Sequence, residues 1–157
     1  MGRVTTEETR EWVAVSPSPL DARELVRWAS RRECGAVVTF SGNARTTSNV
    51  GHEIIELDYD ADVALAEARI RKVTASARER WPEVVAIAIH HRIGTVKVEE
   101  PAVVVAVSSP HRREAFAAAA FCIDAVKSTV PLWKREVWRE GSAWSAEGTS
   151  IRDVSEL

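Results

Sequence analysis

Pro110 and Pro131 frame the stretch that most limits how this chain can fold. Proline is tolerated in the first turn of a helix, where its missing N–H would have no partner anyway, and it stops a helix further along. With Ser109 as N-cap, the segment between the two prolines reads as one helix from about His111 to Thr129. PAVVVAVSS precedes it and LWKREVW follows it, and both read as strands. The chain must therefore leave a sheet, run the length of a long helix and come back as a strand.

The other segments fit around that unit. EWVAVS is a short strand, Ser18 and Pro19 open a helix through Leu25 and Trp28, and Gly35 breaks to the strand AVVTFS. GNARTTSNVGH is too polar and too rich in Gly, Asn and Ser for a regular element, so it reads as a loop carrying Arg45. EIIELDYD alternates, with Ile55, Leu57 and Tyr59 on one face and Glu56, Asp58 and Asp60 on the other, as a half-buried strand requires. A helix follows, with a core stripe of Val63, Ala66, Ile70, Val73 and Ala77, and Pro82 ends it just after Trp81. VVAIAIHHRIG is a strand, TVKVEE leads to a turn at Glu-Glu-Pro, and EGSAW turns into a last short strand. About three helices among strands, some joined by tight turns, predict a single α+β domain over residues 1–157 with a mixed, largely antiparallel sheet.

Composition narrows the function classes. The 157 residues are 45% apolar, enough for one core without disulfide or metal staples. A formal charge of −2 provides no global field toward nucleic acid or anionic lipid, so neither partner is expected and any cationic site must be local. Cys34 and Cys122 sit in no ligand-type spacing, and Cys122 is expected to pack in the core. No signal peptide or membrane-length apolar run is visible, so the expected location is the cytoplasm. MGRVTT fits the loose myristoylation pattern, but no polybasic second signal follows it.

The chemistry concentrates at the two ends of the long helix. Lys127 falls in its last turn and Lys134 just beyond the proline that turns the chain back, so the two amines can converge. The helix dipole alone favours a cation at Lys127, yet two ammonium groups held together also attract an anion. His111 and Arg112 open the same helix, where unpaired backbone N–H groups suit phosphate. His111 and Lys127 are about 24 Å apart along a straight helix at 1.5 Å per residue. If one substrate needs both ends, His111 and Arg112 must come from a second protomer of a symmetric dimer. His90 and His91 point to opposite faces of a strand and cannot chelate one ion together, so one packed and one solvated histidine is the expectation and no metal site is assigned. Trp133 and Trp138 beside Lys134 and Arg135 would be stacking platforms in a single-stranded RNA binder, but no RNP-like or KH-type segment accompanies them.

GAVVTFSGNAR, ELDYDA, ERWPEVVAIAIHHRIG, EEPAVVVAVSSPHRREAF and DAVKSTVPLWKREVW follow one another from about Gly35 to Trp144. In that order they resemble the MoaE family, the large catalytic subunits of molybdopterin synthases. The resemblance implies an α/β-hammerhead-like fold and leaves residues 145–157 as a tail expected to be flexible. It implies a sulfurtransferase of molybdenum cofactor biosynthesis. A small ubiquitin-like subunit would insert its thiocarboxylated C-terminal Gly-Gly tail, and two sulfurs would pass to cyclic pyranopterin monophosphate to form the dithiolene of molybdopterin. A homodimer with a small subunit at each end would make a heterotetramer.

By the same resemblance Lys127 and Lys134 are the catalytic lysines, Lys127 near the thiocarboxylate carbonyl and Lys134 with Arg45 at the pterin phosphate and tail. Asn43 and Ala44 lie beside Arg45 in the substrate-binding stretch, and His111 and Arg112 reach in from the other protomer. Phe40 is an aromatic wall of the pocket, and Arg135 and Glu136 line the substrate site. The sulfur arrives on the partner, so neither a cysteine nor a resident cofactor or metal is implied. Two departures bear on substrate positioning: the histidine expected shortly after the loop arginine is delayed to His52, and Asp62 stands where a second aromatic is usual. The alternative is a scaffold that docks a ubiquitin-like tail without catalysis.

Overall fold

The computed structural model describes residues 10–48, 51–145 and 151–157, so the MGRVTT motif lies outside the described residues. Among the described residues, three α-helices and two four-stranded sheets make one α+β domain. The first sheet has the order β1(Glu11–Ser16), β4(Ala86–Arg92), β6(Pro101–Ser109), β2(Ala36–Asn43), with β1 parallel to β4 and the other pairs antiparallel. The second is antiparallel throughout, in the order β5(Gly94–Lys97), β3(Ile54–Asp60), β7(Trp133–Trp138), β8(Gly141–Trp144).

The period of two along the central strands sorts side chains into two layers. On one face, Ile87 and Ile89 of β4 and Val103, Val105 and Val107 of β6 meet the buried stripes of α2(Val63–Arg80) and α3(Arg112–Thr129). On the other, the small side chains Ala86, Ala88 and Ala106 leave room for Leu25 and Ala29 of α1(Ala22–Ala29). α3 is itself alanine-rich on its buried side, with Ala115, Ala118, Ala119 and Ala125, which lets it lie close on β2 and β6. Gly35 serves the same junction, because a Cβ there would stand 2.7 Å from the Pro110 carbonyl oxygen.

Several local expectations are corrected. α1 is capped by Asp21, whose Oδ1 accepts from the Arg23 N–H at 2.9 Å, and Ser18–Pro19 remain outside the helix. A carboxylate acceptor three residues later outcompetes the hydroxyl. Ser109 does not cap α3, since it stays in the ladder opposite Ala36, and His111 takes the N-cap position without a side-chain bond. β3 carries a bulge: Ile54 faces Trp138 and Glu56 faces Val137, which leaves Ile55 as the extra residue. Ile54 is therefore buried and Ile55 is 51% exposed, while Leu57 keeps its expected place in the core. Both His90 and His91 are buried, because helices cover both faces of the first sheet. The tail expected to be flexible is held at its described end: Arg152 N–H donates to the Ser128 carbonyl at 2.8 Å, and Val154 is buried in the main core.

Candidate active site

The turn at Pro131 delivers Lys127 and Lys134 to the same place. Lys127 projects from the last turn of α3, the chain reverses through Val130 and Leu132, and Lys134 enters β7 opposite Tyr59 of β3. Both lysines line two adjoining cavities. The first, about 250 Å³, is walled by Val103, Ile123, Val126, Val130 and Leu132 together with Tyr59 and His91. The second, about 350 Å³, is lined by Arg45, Thr47, Ser48, Ile54, Leu57 and Glu136. The lysines thus stand where a chamber walled mainly by aliphatic side chains, the more apolar of the two, meets a polar one.

Among the described residues, three cations, Arg45, Lys127 and Lys134, and one carboxylate, Glu136, line the polar chamber. Glu136 Oε1 lies 4.0 Å from Lys134 Nζ, with both side chains largely buried. Among the described residues the lining charge is net positive, and in a partly enclosed space that favours an anionic ligand, because the attraction is stronger where water is scarce. The loop carrying Arg45 is clamped at its base. Ala44 N–H donates to the Glu100 carbonyl at 3.0 Å, Glu99 N–H donates to the Ala44 carbonyl at 2.8 Å, and Ile54 N–H donates to the Thr46 carbonyl at 2.8 Å. His52 then stacks flat on Trp138, with ring centroids 4.1 Å apart.

His91 forms part of the apolar chamber. Its Nδ1 is 2.8 Å from the Arg92 carbonyl oxygen and its ring meets Tyr59 edge-on at 4.9 Å. Burial lowers its pKa to about 4, so the ring is neutral near pH 7. Its neighbour His90 points to the α1 side, edge-on to Trp12 at 4.4 Å, and burial lowers it to about 4 as well.

Of the residues expected at the site, Arg45, Lys127, Lys134 and Glu136 come together. Arg135 does not, because strand alternation turns it to the opposite face of β7. There its guanidinium hydrogen-bonds Asp58, holding that carboxyl below its usual range, and lies 5.9 Å over the Trp144 ring. Phe40 lines neither cavity. It pairs across the ladder with Val105 and packs against the main core, on the same face of β2 as Gly42, which lies opposite the cavity residue Val103. Asn43, which accepts from the Ser41 hydroxyl at 2.7 Å, and the buried Ala44 support the loop without lining either cavity. His111 and Arg112 are exposed at the far end of α3, a helix of 18 residues and hence about 27 Å long. Tyr59, His91, Thr47 and Ser48 are the lining residues that sequence reasoning missed. The signal for His91 was present in β4, where it shares a face with Ile87 and Ile89.

Among the described residues, no group of three or more His, Cys, Asp or Glu side chains could hold a metal ion. Cys122 is fully buried in the main core, and burial pushes its thiol up to about 12.

A family model described as MoaE protein matches residues 15–129, a span that contains Arg45, the His111–Arg112 pair and Lys127. The chain belongs to the MoaE family. This MoaE chain is 36% identical over 135 residues to the molybdopterin synthase catalytic subunit of Taeniopygia guttata, covering 86% of each protein. Its fold is similar to that of molybdopterin synthase from Staphylococcus aureus, with a TM-score of 0.80 at 33% identity, covering 85% of this chain and 96% of that one. The fold also recurs at 22% identity, with a TM-score of 0.70, in a complex of subunits 1 and 2 of molybdopterin-converting factor from Helicobacter pylori, covering 92% of this chain and 95% of that one. The family match begins earlier than the resemblance read from sequence, at residue 15 instead of about Gly35, and it stops before Lys134.

Proposed function

We propose that this chain is the catalytic subunit of a molybdopterin synthase, a sulfurtransferase of molybdenum cofactor biosynthesis. It takes sulfur from the thiocarboxylated C-terminus of a small ubiquitin-like subunit and passes it to cyclic pyranopterin monophosphate, giving the dithiolene of molybdopterin. The observation that carries this reading is the sharing of Lys127 and Lys134 by two chambers of different character in a MoaE-family chain. Two reactants must meet at one point, and the lysines mark the junction.

Every reactant here is anionic: the cyclic phosphate, the thiocarboxylate and the carboxylate left after sulfur has gone. Arg45 and Lys134 hold the phosphate-bearing heterocycle in the polar chamber. Lys127 stands at the thiocarboxylate carbonyl and stabilises the charge that develops on its oxygen during transfer. Fixed cations do this without reorganising at the moment of reaction, and apolar walls strengthen their effect. His111 and Arg112, too far along α3 to reach the same ligand, complete the site of a second protomer. The working unit is then a cytoplasmic homodimer carrying a small subunit at each end.

Reconstitution tests the reading. Purified chain, thiocarboxylated small subunit and precursor should yield molybdopterin, and the small subunit should end as a carboxylate. Tight binding of the small subunit with no conversion would support a docking scaffold instead.

A further inference from the structure

The apolar chamber contains a polar atom that the lysine chemistry does not use. His91 is 4% exposed and lines that chamber beside Lys127 and Lys134. A carbonyl oxygen can only accept, so the 2.8 Å contact between Nδ1 and the Arg92 carbonyl requires the proton on Nδ1. In the neutral ring Nε2 is then a bare acceptor, and among the described residues it makes no hydrogen bond. An acceptor in a cavity wall, its tautomer fixed from behind and its ring edge-on to Tyr59, is placed to receive a donor.

We propose that His91 is a ligand-binding residue of the apolar chamber, its Nε2 accepting a hydrogen bond from a backbone amide N–H of the side-chain-free peptide tail that enters between Lys127 and Lys134. This rests on the functional reading above. The polar chamber, with three cations and two hydroxyls, suits the phosphate-bearing heterocycle and leaves the apolar chamber for the tail. A diglycine tail brings little but backbone into it. Val103, Ile123, Val126, Val130 and Leu132 offer no side-chain acceptor and the lysines only donate, which leaves Nε2 of His91 and the Tyr59 hydroxyl, and an amide N–H buried without an acceptor costs about 1–3 kcal/mol. Nε2 removes that cost.

The test uses the full chain, the thiocarboxylated small subunit and the precursor. His91→Phe removes the acceptor and should raise KM for the small subunit about tenfold, the worth of one hydrogen bond, with kcat and the precursor's KM within about twofold of wild type. His91→Gln, which returns an amide oxygen near the position of Nε2, should recover most of the loss. In ¹⁵N spectra of the histidine rings, the Nε2 signal of wild-type His91 should be that of a bare nitrogen and should move when small subunit is added, but not with precursor alone. A change in the precursor's KM instead, a small-subunit KM that does not move, a Gln variant no better than Phe, or an Nε2 signal indifferent to the small subunit overturns the proposal. If wild-type protein converts no precursor, the functional reading fails, and the nitrogen spectrum with small subunit still decides on His91. It also decides if His91→Phe does not fold.

Discussion

Lys127 and Lys134 belong to different elements, one to the end of α3 and the other to β7, yet both line the same two chambers. The reversal at Pro131 produces this. Val130, buried, and Leu132, partly buried, pack on the main core on either side of the proline, so the turn between the two amines is anchored to the core. Charges anchored to packed residues in this way suit a site that acts on a transition state through fixed charges.

The polar chamber should show its charge in kinetics. Lys134→Ala and Arg45→Ala are each expected to raise KM for the anionic precursor by roughly ten- to a hundredfold, the worth of one charge-assisted hydrogen bond. Binding of the small subunit should change little for Arg45→Ala, since Arg45 lines only the polar chamber. Steady-state assays varying one reactant at a time separate the two effects.

The dimer can be tested by complementation. Lys127→Ala and Arg112→Ala protomers are each expected to be nearly inactive alone. If Arg112 serves the neighbouring site, a randomly mixed dimer contains one site with both residues intact, and the mixture should recover about a quarter of wild-type activity. Recovery after mixing and re-annealing is the measurement, and no recovery would place both residues in one protomer's site.

Acid should weaken the fold through the two buried histidines. Burial lowers His90 and His91 to about 4, against the ordinary histidine value of 6.5. Between those values the unfolded chain binds protons that the folded chain does not, so stability rises with pH across that window. The contribution is complete above about pH 6.5 and is lost as pH falls toward 4, at most about 3 kcal/mol per histidine. Asp58, held low by Arg135, adds a loss at still lower pH as it is protonated. Urea midpoints measured between about pH 7 and about pH 4.5 should fall, and His90→Leu should flatten the slope.

The junction between β2 and α3 sets a steric test. Gly35→Ala would place a methyl 2.7 Å from the Pro110 carbonyl oxygen, a backbone atom that cannot swing aside. The expected loss is about 1–3 kcal/mol of stability, read as a lower thermal midpoint. A variant as stable as wild type would mean that the entry to α3 shifts easily.

The parts legible in sequence were those fixed by local chemistry. The helix between Pro110 and Pro131 put Lys127 at a helix end and Lys134 just past a reversal, so their convergence followed from spacing alone. Arg45 stood out in a stretch with too many turn residues for a strand. Features set by distant partners were not legible. The bulge at Ile55 depends on how β3 pairs with β7, and the division into two sheets depends on pairings far apart in sequence. The burial of both His90 and His91 required knowing that helices cover both faces of β4. Arg135 is a different case: placing Lys134 and Glu136 inward already turned it outward by alternation, and the carry-over from the family outweighed that.

The central claim is that Lys127 acts at the point where the two reactants meet. Its most direct test is a single-turnover reaction of wild type and Lys127→Ala with thiocarboxylated small subunit and precursor, following the small subunit by mass spectrometry. Wild type should convert the thiocarboxylate to carboxylate as dithiolene forms, whereas Lys127→Ala should keep its thermal midpoint, bind the small subunit and leave the thiocarboxylate intact. Discharge of sulfur by Lys127→Ala at the wild-type rate would contradict the account.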